Sequence, residues 1–117
     1  MSVAFNGIEN QVVTFQANDT AAAGSPVAME SDNTVKTAAG GTAPVGILLN
    51  QRSGHGAVQI KGYVQVAYSG SAAPNLGWNS LVADGSGGMR LAASGETGRA
   101  CLVVNRNTAD KTMGLFL

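Results

Sequence analysis

Between Ala57 and Tyr68 the chain alternates apolar and polar residues over twelve positions with a glycine at the centre. Val58, Ile60, Val64, Val66 and Tyr68 fall on one face together with Gly62, and Gln59, Lys61, Tyr63 and Gln65 fall on the other. Period-2 alternation is the signature of a strand half buried against a core. Fully extended, the segment would reach about 40 Å, whereas strands in globular domains usually run about 3 to 10 residues. A glycine halfway along such a run marks a bulge or a sharp bend. The pattern therefore predicts that Gly62 is a structural bend at which one strand leaves one wall of a small barrel and enters another. The competing explanation is a straight strand whose glycine leaves room for a bulky neighbour such as Trp78.

The remaining segments read as strands too. "QVVTFQ" is a strand, and "SPVAMESDNTVKT" is a hairpin turning at Ser31, Asp32 and Asn33. "APVGILLN" is a continuous apolar run of the kind buried on both faces. "SGSAAPNLGWN" reads as a loop, and "SLVADGSGGMRLA" as a second hairpin with its tip at Asp84–Gly88. "RACLVVNRNTADKTMGLFL" is a closing pair of strands. The alanine-rich segments "TAAAGSP" and "TAAGGTAP" are cut by Gly and Pro within a turn, which leaves at most one short helix. The expected fold is all-β, a small barrel with short hairpins. Residues 11–117 form its single domain and residues 1–10 an N-terminal arm. With aromatics at 5% of the chain, the core must be aliphatic and the interior closed by side chains.

Charge narrows the range of functions. Charged residues are 12% of the chain, about half the usual share, and the formal net charge is zero. Nucleic-acid binding depends on clustered cations, and the seven Lys and Arg are scattered, so no nucleic-acid partner is expected. No apolar run is long enough to span a membrane, and the opening "MSVAFNGIENQ" is not expected to act as a secretory leader. One cysteine, Cys101 in "RACLVVN", excludes an intramolecular disulfide and reads as a buried, inert thiol.

Catalytic sets are hard to assemble. His55 is the only histidine, placed between glycines in "SGHGA", and reads as a solvated loop residue. No serine has nucleophile-elbow spacing, and the carboxylates fall mostly at turns, where they cap backbone N–H groups. One Cys and one His cannot build a zinc site of the usual kind, and "DGSGG" lacks the pattern of a calcium loop. No enzyme, metal or cofactor is expected. Trp78 and Tyr63 remain as candidates for an interface or a surface-binding site, with plain packing the simpler role for Trp78. Val3, Phe5 and Ile8 in "MSVAFNGIENQ" could extend a neighbouring sheet, or belong to the first strand of their own barrel.

In the order "GSPVAME…TVKTA…APVGILLN", "GAVQIKGYVQVAYSGSAAPNLGWNSLVAD" and "GGMRLAASGETGRACLVVN", the chain resembles the small capsid decoration, or cement, proteins of tailed bacteriophages. These are related to the lambda-type head-stabilising proteins with a β-tulip barrel. The resemblance covers roughly residues 24–117 and implies a virion structural protein, made in the host bacterial cytoplasm and bound to the outer capsid surface. It implies the major capsid protein as partner, a homotrimer, and an N-terminal arm (hence Val3, Phe5 and Ile8) that meets the capsid. A similar barrel serves phage fibres and tails, which gives the alternative of a module that binds carbohydrate or a host surface.

Overall fold

The computed structural model describes residues 10–17, 21–70 and 73–117, and every regular element among them is a strand. Five strands close into a barrel: β1 (Gln11–Ala17), β2 (Pro26–Ser31), β3 (Thr34–Thr37), β4 (Gly46–Arg52) and β5 (His55–Lys61), in the order β1-β3-β2-β4-β5. A second sheet holds β6 (Tyr63–Ala67), β7 (Gly77–Ala83), β8 (Met89–Leu91), β9 (Arg99–Asn107) and β10 (Thr112–Phe116), in the order β6-β10-β9-β7-β8. Its two edge strands approach each other through a bridge between Tyr68 and Met89. The chain is all-β.

Turn chemistry sets the hairpins. Ser53 and Gly54 both take positive φ (53° and 79°), the conformation of the two-residue turn whose twist matches the strands it joins. That turn consumes so few residues that His55 becomes the first residue of β5, not a loop residue. The tips of both barrel hairpins then grip β1. The Gln16 N–H donates to the Asn33 carbonyl at 2.8 Å, and the Ala17 N–H to the Gly54 carbonyl at 2.9 Å.

Gly62 separates β5 from β6 with φ at +108°, so the long alternating segment belongs to both sheets. Val58 packs inside the barrel with Ala17, Val27, Val35 and Leu48, all 5% exposed or less. Val64, Val66 and Tyr68 join a cluster of ten buried residues beneath the second sheet. Buried aliphatic side chains are worth roughly 1.5–3 kcal/mol each, so the larger cluster contributes most of the burial energy. The polar face is not all solvent-facing: Gln59 is buried, and its amide donates to the Lys61 carbonyl at 3.2 Å and the Tyr63 carbonyl at 3.0 Å. One side chain thus satisfies the two carbonyls flanking the bend.

The apolar run before Asn50 is divided between the cores. Ile47 packs under the second sheet and Leu48 inside the barrel. Leu49, at a register shift between β4 and β5, turns outward and is exposed. Arg99 ties the layers together. Its guanidinium donates to the carbonyls of Ile60 (2.9 Å), Val45 (3.1 Å) and Pro44 (3.4 Å), linking β9 to β5 and the entry of β4.

Two carboxylates fix turns of the second sheet. Burial would raise the pKa of Asp84, but bonds from the Ser86 and Gly88 N–H groups and the Ser69 hydroxyl outweigh it and hold it below 3.8. Glu96 accepts two 2.8 Å bonds from Arg90 and one of 2.7 Å from the Ala93 N–H, and the Arg90 guanidinium chiefly lowers its pKa from 4.5 to about 2. Between those pH values the unfolded chain binds more protons than the folded one, so stability must fall as the pH drops. Melting temperature should decline as the pH is taken from about 5 to about 2, and Glu96→Gln should remove part of that decline while lowering stability at neutral pH.

Candidate interaction surface

The outer face of the second sheet carries a row of large side chains. Tyr63 on β6 is the register partner of Phe116 on β10, Phe116 of Leu102 on β9, and Leu102 of Trp78 on β7. Direct cross-strand partners stand about 4.5–5.5 Å apart on one face, so the four are consecutive neighbours. Tyr63, Phe116 and Leu102 face outward because their chain neighbours Val64, Leu115, Cys101 and Val103 fill the core, and Trp78 shares their face as the register partner of Leu102. The Tyr63 and Phe116 rings meet edge to face with centroids 5.7 Å apart.

Tyr63 lies across β10. A side chain at Gly114 would collide with its hydroxyl, and that hydroxyl accepts a 3.1 Å bond from the Asn105 amide. Tyr63 is therefore half-buried and fixed. Trp78 is not: it belongs to β7, not to a loop, and is 72% exposed, which excludes plain packing within its own chain. Leu76, just before β7, is 57% exposed. The approach to Trp78 is nevertheless held in place. The Asn79 amide donates to the carbonyls of Asn75 (2.7 Å) and Gly77 (3.1 Å), and Arg106 donates to the Pro74 carbonyl at 3.2 Å. The outward neighbours of the row, Gln65, Gly114, Asn105, Ala100 and Ser80, are all uncharged.

Because Trp78 contributes little packing, Trp78→Ala should change stability by less than about 0.5 kcal/mol. As the sole tryptophan, it should show red-shifted emission and full access to a neutral quencher.

A second surface is an edge. β1 pairs with β5 from Gln11 to Gln16, but touches β3 only at Gln16 and Ala17. Its other edge is therefore open from Gln11 to Phe15 among the described residues, and Val12 there is 49% exposed. Asn10, just before β1, lies close against Gly62 on the β5 side of the strand. The candidate contact residues Val3, Phe5 and Ile8 lie outside the described residues.

The remaining candidates stay apart. His55 is exposed, with Nδ1 3.2 Å from the Ser53 carbonyl. Burial raises the pKa of the Cys101 thiol despite nearby Arg99. Among the described residues no group of three or more His, Cys, Asp or Glu is placed to hold a metal ion. Arg99, the residue that joins the layers, has no signal in the sequence beyond being a cation beside an apolar run. No protein-family model matches the chain, and no curated protein matches it.

Proposed function

We propose that the chain is a capsid decoration protein of a tailed bacteriophage, bound to the outer surface of the virion as a homotrimer, where it cross-links neighbouring coat subunits. The edge of β1 from Gln11 to Phe15, open among the described residues, carries this reading. An unpaired strand edge is a template for a strand from another chain, with main-chain hydrogen bonds supplying affinity and side chains such as Val12 supplying fit. It directly follows the N-terminal segment that carries Val3, Phe5 and Ile8. The neutral, sparsely charged composition supports dense packing of many copies, and the order of strands resembling the decoration proteins points the same way. A protein that binds the assembled shell and not its free subunits stabilises the shell by mass action, and three arms on one trimer multiply weak contacts.

Heads of the phage encoding the chain should release their DNA at lower temperature when the protein is omitted, and added protein should restore them. Val12→Lys, which places a charge on the open edge, should weaken co-sedimentation with heads and leave the melting temperature nearly unchanged. Heads that release DNA at the same temperature with and without the protein would sink the reading.

A further inference from the structure

We propose that the Trp78 row is a binding site for a neutral oligosaccharide chain, a role separate from shell binding and carried by different strands. Four observations lead there. Trp78 is presented, not merely left over: its strand and approach loop are fixed by the Asn79 and Arg106 bonds while its side chain stays 72% exposed. A rigid exposed aromatic loses little conformational freedom when a ligand covers it.

The exposed apolar strip is narrow. Among the described large apolar residues only Trp78 and Leu76 are more than half exposed, which supplies on the order of 300 Å² of apolar area. A stable protein interface needs about 800 Å² on each partner, so the strip alone covers less than half of one. An extended peptide would seek a strand edge for its main-chain bonds, and the row lies on a face.

Charge selects the ligand class. The register neighbours of the row carry none, and the Arg106 guanidinium nearby is engaged with the Pro74 carbonyl, so the row presents no cluster of cations for phosphates or sugar carboxylates. A neutral pyranose has the matching chemistry. Its C–H face stacks on the indole and on the exposed side of Leu102 and Phe116, and its hydroxyls exchange hydrogen bonds with polar side chains beside the row such as Ser80 and Gln65.

The test is a titration of the intact protein with neutral gluco-, manno- and N-acetylglucosamine oligosaccharides of three to six units, followed by Trp78 emission and by calorimetry. Saturable binding with a blue shift of emission is expected for at least one series, and Trp78→Ala should weaken it by about thirtyfold, the loss typical of an aromatic anchor. Trp78→Tyr should retain most of it. The melting temperature of each variant shows whether it is folded. Absence of saturable binding throughout the neutral series, or binding that Trp78→Ala leaves intact, overturns the proposal. So does self-association of the wild-type protein that Trp78→Ala abolishes, since the row would then be a protein contact. Co-sedimentation of Trp78→Ala with heads is read separately, so failure here leaves the shell-binding reading to the DNA-release and Val12→Lys experiments.

Discussion

Arg99→Ala should cost about 3 kcal/mol of stability, lowering the melting temperature of a domain this size by about 10 °C. The figure follows from what the guanidinium holds. It donates to the carbonyls of Ile60, Val45 and Pro44, which belong to the barrel, from a position on β9 in the second sheet. A hydrogen bond from a charged donor contributes about 1.5–3 kcal/mol, and a partly buried carbonyl left without a donor costs a further 1–3 kcal/mol. Against this, Arg99 is only half-buried, so water reaches part of the vacated space and offsets some of the loss. Arg99→Lys separates charge from geometry. A single ammonium keeps the charge but cannot span three carbonyls arranged for a fork, so it should recover no more than about half of the loss. Chemical denaturation with a slope unchanged from wild type would establish that the effect is on stability and not on compactness. A loss below about 1 kcal/mol for the alanine variant would mean that the apolar contact around Ile47 joins the layers unaided.

The strand content was legible because local chemistry agrees with the final structure nearly everywhere. Asp32–Asn33 and Asp84–Gly88 both form turns between strands, as their residue types demand. What could not be read was which strand joins which sheet. Ile47 and Leu48 are chemically alike and adjacent, yet they fill different cores, because opposite faces of β4 meet opposite layers. Gln59 looked like a surface residue by alternation; only the carbonyls exposed at the neighbouring bend explain its burial. Trp78 fails for a related reason. Its flanking Gly and Asn suggest a loop, but pairing of β7 with β9 begins at Gly77 and overrides that local preference. The row itself exists only through register across four strands, which is tertiary information. Tyr63 and Trp78 stood out singly in the sequence, while Phe116 and Leu102, which connect them, resembled ordinary core residues.

Gly62→Ala should be at least as damaging as the loss of Arg99, and Gly54→Ala is its control. Both glycines have positive φ, at +108° for Gly62 and +79° for Gly54, and alanine is strained at either. They differ in surroundings. A methyl group at Gly54 would meet nothing within 4 Å, whereas at Gly62 it would lie 2.9 Å from the Asn10 Cα and overlap the Asn10 side chain. Backbone strain alone costs on the order of 1–3 kcal/mol, so Gly54→Ala should lose about 1 kcal/mol. At Gly62 the overlap adds to the strain, and relief requires moving the start of β1 off the bend; about 4 kcal/mol is expected, within the range for overpacked sites. The consequence reaches beyond stability. Gly62 accepts the Leu117 N–H at 3.1 Å, and its neighbours' carbonyls accept the Gln59 amide, so displacing the bend loosens β1, the end of β10 and the Tyr63 end of the row together. Hydrogen exchange should show this as faster exchange in β1 and β10 of Gly62→Ala, with the β7–β8 hairpin unaffected. Equal losses for the two glycine variants would show that the strand turns its corner by backbone conformation alone, without the packing of Asn10 against it.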